Sequence, residues 1–258
     1  MLFGLLGRKP VLDEVTVQWM LDTFAWARRN FDARVFDEET ILVTPSNEHF
    51  PGRSDSAQGM AEMILQQVKG HAGLANWPCR LLDESAMATM TPPRLAFTGA
   101  LRGSQAQPPA PAGEALAIPY EPGQLRDPEV LIANYAHALA FYLGAQAKEP
   151  PPGGAENWPH VTELLAVFLG FGVMMANSAN TTRIRSCGSC SGPAVERHNY
   201  LSQYDITYAL AIFCALKNIP TATVLRHLKS TLRPFYKQAF REVVNNKPAL
   251  GRLREIYD

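Results

Sequence analysis

The side chains best placed to do chemistry lie in two neighbouring stretches. The first is Asp127-Pro128-Glu129-Val130-Leu131-Ile132-Ala133-Asn134-Tyr135-Ala136-His137-Ala138-Leu139-Ala140-Phe141-Tyr142-Leu143. The second follows a Pro/Gly-rich link at residues 150–154 and runs Thr162-Glu163-Leu164-Leu165-Ala166-Val167-Phe168-Leu169-Gly170-Phe171-Gly172. An imidazole on one helix and a carboxylate on the next can share zinc, which takes nitrogen and oxygen donors in a four-coordinate shell. His160, three residues before Glu163, falls on the same helical face and could add a third donor. Each residue also has a plainer account. His137 is one histidine on an apolar helix, as a hydrogen-bonded core residue is; His160 follows Pro159 in a first helical turn; Glu163 is an acid near a helix N-terminus, where the dipole favours it.

A further candidate is Cys187-Gly188-Ser189-Cys190 in a Gly/Ser-rich loop, with His198 the nearest additional donor. A redox pair normally opens a helix after a strand, and a zinc site needs two more ligands, so two reduced thiols are the simpler account. Cys79 and Cys214 lie in apolar strand and helix contexts and read as core. Arg183, Arg185, Arg226, His227, Lys229 and Arg233 give local positive charge, partly balanced by Glu242, Glu255 and Asp258, as on a solvated face. Ser46, Ser54 and Ser178 lack the Gly-x-Ser-x-Gly turn of a serine nucleophile. Gly170-Phe171-Gly172 lies within an apolar helical pattern, where small residues permit close helix contact rather than cradle phosphate.

Positioning these side chains requires a helical frame. Apolar spacing predicts a helix over 11–30, Thr40–Thr44 reads as a strand, and helical spacing resumes over 55–69. Short apolar pieces at 79–82, 94–98 and 115–118, separated by Pro, Gly and Ser, predict a small antiparallel sheet, with 105–113 as a loop tip. Asp127 can cap a helix that has Pro128 in its first turn, and further helices are expected over 128–146, 158–177, 200–217, 221–229 and 232–245. The expected architecture is α+β in one domain, 1–258: a tail at 1–10, a helix/strand part at 11–120, and a helical part at 121–258.

The 258 residues are 47% apolar, enough for a sizeable core, and 24 basic residues against 24 acidic ones leave no global field to hold a nucleic-acid backbone. Met1–Leu6 is too short for a secretory leader, and Leu164–Ala176 is too short to span a bilayer and reads as a buried central helix. A cytoplasmic protein with no transmembrane segment is expected.

Three features in order, the Asp-Pro helix start with Ala-His137-Ala-Leu-Ala, the Thr162-Glu163-Leu-Leu-Ala-Val-Phe-Leu-Gly-Phe-Gly helix, and the later Ala-Asn-Ser-Ala, Tyr-Leu-Ser-Gln and Tyr-Ala-Leu-Ala pieces, resemble an uncharacterised bacterial zincin-like family. The resemblance covers about residues 125–217. In that family the first helix carries His-Glu-Leu-x-His and the second Thr-Asp-Leu. The resemblance implies a metal site whose first ligand falls on His137 and third on Glu163, while the general base falls on Ala138 and the second ligand on Phe141. A methyl group takes no proton from water and a phenyl ring has no lone pair for zinc, so the motif is degenerate.

The expectation is therefore a catalytically inactive zincin-like protein without a cofactor, which binds an unidentified protein or peptide in its remnant cleft. By the resemblance, Leu116–Tyr120 would line that cleft and could pair with an extended peptide. The alternative is a zinc-dependent hydrolase with a site rebuilt from His137, His160 and Glu163, and Glu156 as base.

Overall fold

The computed structural model describes residues 10–83, 95–109, 115–179 and 200–256. Helix α1 (Glu14–Asn30) starts where the Asp13 carboxylate accepts the Thr16 N–H, and it ends on Arg28 and Arg29, so charges of both signs oppose the dipole. Two helices follow: the short α2 (Ala33–Glu38), capped by Asp32, and α3 (Ala57–His71), capped by Ser56. Strands β1 (Cys79–Asp83) and β2 (Leu116–Tyr120) come next.

The expected signal at Asp127-Pro128 opens α4 (Pro128–Gly144), where the Asp127 side chain accepts the Val130 N–H at 3.4 Å. This helix is buried on nearly all sides, from Leu131 through Leu143. The helix it packs against most heavily is α5 (Trp158–Ala166), and the two lie close at Gly144: a Cβ there would stand 3.1 Å from Trp158 and 3.2 Å from Leu165.

The expected continuous helix over 158–177 is interrupted. A π turn over 167–171 joins α5 to α6 (Gly172–Ser178), and Gly170 sits at φ 100°, a conformation that glycine adopts without strain. The reason lies across the core, where residues 40–44 run against the bend. The Val43 N–H donates to the Gly170 carbonyl at 3.0 Å, and a Cβ on Gly170 would collide with the Ile41 carbonyl oxygen. The predicted strand at 40–44 is consequently not a strand, because its partner is a helix bend. Gly172 does serve close contact, since a Cβ there would stand 2.8 Å from Leu210.

After α6 come α7 (Gln203–Leu216), α8 (Thr221–His227), α9 (Arg233–Asn245) and α10 (Lys247–Arg254). Helices α2 and α10 are additions to the elements expected from the sequence. The run Ala155–Ser178 is long and apolar enough to cross a bilayer by composition, yet its apolar window is wholly buried, so it is the centre of a helical layer.

The two strands pair in parallel, Cys79 with Leu116 through Asp83 with Tyr120, which corrects the antiparallel expectation. Residues 84–115 supply a connection long enough for the crossover a parallel pair needs. The third predicted strand, over 94–98, is not one at its described positions 95–98. There the Leu95 N–H goes to the Gln146 side chain, and Phe97 packs on Trp77 at 5.4 Å. The result is α+β, with a two-stranded sheet in the first half and a helical second half.

One hydrophobic cluster runs through the described elements. At its heart Phe36 stacks on Phe168 at 4.5 Å, with Arg28 and Lys217 over the Phe36 ring and Arg102 over that of Phe168. The Arg102 guanidinium is buried, which lowers its pKa to about 10, and it donates to the Phe31 and Ala72 carbonyls and the Thr40 hydroxyl. It thus ties α1, α3 and the 40–44 segment together.

Candidate functional site: the α4–α5 helix pair

Helix α4 places His137 inside the protein, 5% exposed, with Ala138 fully buried beside it. Phe141, four residues on, is half-buried against the core, its ring 5.5 Å from that of Tyr142. The positions where the resemblance puts a base and a second ligand are therefore hydrocarbon packed into or against the apolar interior.

Glu163 on α5 is 0% exposed. One carboxylate oxygen accepts the Leu201 N–H at 2.8 Å and the other accepts the Tyr200 N–H at 3.3 Å. These amides immediately precede Ser202, which opens α7 with a reciprocal capping box to Asp205. The carboxylate thus fixes the backbone at the entry to α7, a charge-assisted contact in a low-dielectric setting.

His160, one turn before Glu163, is half-buried. Its ring meets Tyr200 edge-on at 5.5 Å and Trp19 at 6.4 Å, and its Nδ1 is shielded from solvent with no hydrogen-bond partner among the described residues. Glu163 and His160 converge on the 200–201 segment. Among the described residues, no group of three or more His, Cys, Asp or Glu side chains lies close enough together to hold a metal ion, and His137, His160 and Glu163 are all described. Glu156 is exposed in the short turn at 155–157.

Strand β2 is the segment expected to line the cleft. The Leu116 N–H bonds Pro78 on the β1 side, so by strand alternation Ala117 and Pro119 face the other edge. There the Ala117 carbonyl already accepts the Tyr142 hydroxyl at 2.8 Å, and Pro119 has no N–H to offer. An extended peptide therefore finds fewer free backbone groups on this edge.

Cys187, Cys190, His198, Arg183 and Arg185 lie outside the described residues. Of the other two thiols, Cys79 is half-buried and Cys214 buried, and burial pushes them up to about 11 and about 12, so neither is a thiolate near neutral pH.

Sequence reasoning passed over a polar cluster at His49. Its Nδ1 accepts the Thr44 N–H at 3.2 Å and lies 2.9 Å from the Thr44 hydroxyl, while the His71 Nε2–H donates to the His49 carbonyl at 2.7 Å. Burial, then the neighbouring His71 ring, hold the His49 pKa below its ordinary value. The short spacing Thr44-x-Ser46-x-x-His49 is the one signal for it in the sequence.

No protein-family model, curated protein or solved structure matches this chain.

Proposed function

We propose that this chain is a zincin-like protein that has lost hydrolytic chemistry and works by binding a protein or peptide beside α4. The observation that carries the proposal is Glu163: buried, with both oxygens engaged by the Tyr200 and Leu201 amides, it has the work of a structural anchor. Ala138 and Phe141 support the same conclusion chemically, since neither can activate water or donate an electron pair to a metal. An apolar, half-buried Phe141 suits packing or an apolar contact better than it suits an ionic transition state. With the Ala117 carbonyl taken by Tyr142 and no N–H at Pro119, recognition by side chains is favoured over strand addition.

Incubating tag-free protein with a peptide mixture, with and without zinc and chelator, and reading products by mass spectrometry tests the proposal. The expected result is no chelator-sensitive cleavage above buffer. Cleavage that needs zinc and disappears in a His137→Ala variant would overturn it and favour the hydrolase alternative.

A further inference from the structure

Between Asp205 and Glu242 the chain carries six basic residues, Lys217, Arg226, Lys229, Arg233, Lys237 and Arg241, and no acidic one. Helix α9 sorts them by geometry. Tyr236, Ala239 and Val243 are buried, and α7 is the helix that α9 packs against most heavily. Arg233, Lys237 and Arg241, spaced four apart, are exposed on one flank. Arg226 and Lys229, in and just after α8, are exposed as well. Among the described residues no ion pair involves any of these five. The nearest acid in sequence, Glu242, is engaged elsewhere: it accepts the Val11 N–H at 3.3 Å and the Gln238 amide at 3.2 Å.

Like charges four residues apart weaken a helix, so the fold keeps this stripe at some loss, and among the described residues no carboxylate pairs with it. Beside it lies a recess of about 380 Å³, lined by Thr221, Lys237, Phe240, Arg241, Val244 and Asn245, in which two cations stand next to an apolar wall.

We infer that this flank of α9, with the end of α8, is a docking surface for an acidic, carboxylate-rich segment of a partner protein. The spacing favours that partner. One helical turn and a fraction separates successive cations by about 6 Å along α9, and alternate side chains of an extended peptide recur at about 6.6 Å. Carboxylates can then meet Arg233, Lys237 and Arg241 in register, the arginines through paired N–H donors. Successive side chains of an extended peptide point to opposite faces, so the recess against Phe240 and Val244 is left to an apolar side chain flanking the alternating stretch. A nucleic-acid strand is the weaker match, because no aromatic ring is exposed on α9 to give its bases a stacking platform. A lipid surface is weaker still, since Val244 is the single large hydrophobic residue exposed on α9. The inference is independent of the α4–α5 proposal, because none of its residues lies on those helices.

The test is fluorescence anisotropy with a labelled peptide of alternating Glu and Ala, about twelve residues long and so longer than the roughly five extended residues that match the stripe, against the full chain. Binding is expected, weakening as salt rises, absent for the peptide with Gln in place of Glu, and reduced at least about tenfold by combining Arg233→Glu, Lys237→Glu and Arg241→Glu. Circular dichroism checks that the variant is folded; should it not be, the Lys237→Gln, Arg241→Gln pair is expected to show the same loss at smaller size. No binding by the native chain, or unchanged binding in a folded variant, overturns the inference. So does tighter binding of single-stranded DNA or of anionic vesicles than of the peptide at equal ionic strength.

Discussion

Replacing Glu163 with glutamine preserves shape while removing charge and one acceptor. The carboxylate now takes two backbone N–H groups, from Leu201 at 2.8 Å and Tyr200 at 3.3 Å. A glutamine oxygen can keep one of them, and its NH2 group must then point a donor at the other. Hydrogen bonds to a charged group contribute about 1.5–3 kcal/mol each, the shorter Leu201 contact being the stronger, and an amide left unpaired in the interior loses a further 1–3 kcal/mol or so. Part of this is offset because no charge need be buried. The net expectation is a loss of about 2 kcal/mol, or a fall in Tm of about 4–8 °C for a domain of this size. Chemical denaturation and calorimetry measure it, and hydrogen exchange should quicken at the Leu201 amide in particular. The same loss should appear with chelator and with added zinc. If the variant matches the native protein in chelator, and zinc stabilises only the native protein, Glu163 is a metal ligand and its role as an anchor is refuted.

Gly170→Ala should be more damaging. It forces a left-handed φ on a side chain, drives a Cβ into the Ile41 carbonyl, and threatens the Val43 to Gly170 hydrogen bond, so a loss of about 3 kcal/mol or more is expected in urea denaturation. A loss under about 1 kcal/mol would mean that the bend repacks freely. For His49, burial and His71 depress the folded-state pKa below the ordinary value of 6.5. The unfolded chain therefore binds its proton first as pH falls: His49 leaves stability unaffected above about pH 6.5 and lowers it progressively below, towards the depressed folded value. A His49→Gln variant should show a shallower decline of stability from pH 7 to 5, and an identical slope in both proteins would contradict this.

Much of the helical frame is legible in the residues themselves. Asp127-Pro128 marks the start of α4 by capping chemistry, and apolar spacing marks α1, α3, α7 and α9 within a few residues. What escaped depends on partners distant in sequence. Thr40–Thr44 has the composition of a strand, but whether it becomes one is decided by what lies alongside, here the bend at Gly170. Gly170-Phe171-Gly172 looks like two packing glycines, and only the approach of Ile41 makes the first a hinge in the helix. The direction of the two-stranded sheet likewise depends on a crossover that alternating apolar residues do not encode. At the candidate site, the sequence singles out Glu163 as an acid worth attention. It is silent on the Tyr200 and Leu201 amides that engage it, because they return from nearly 40 positions away.

The central claim, that hydrocarbon at Ala138 and Phe141 has ended zinc chemistry here, is tested most directly by calorimetric zinc titration of the native chain beside a Phe141→His variant. The single substitution is preferred because Ala138 is fully buried, where a new carboxylate would itself be strongly destabilising. Position 141 is half-buried and lies one turn from His137 on α4. The expected result is no stoichiometric binding by the native chain and a gain of at least about tenfold in zinc affinity in the variant, as a second imidazole joins the first. One zinc held tightly by the native chain, with no gain on introducing the imidazole, would contradict the account.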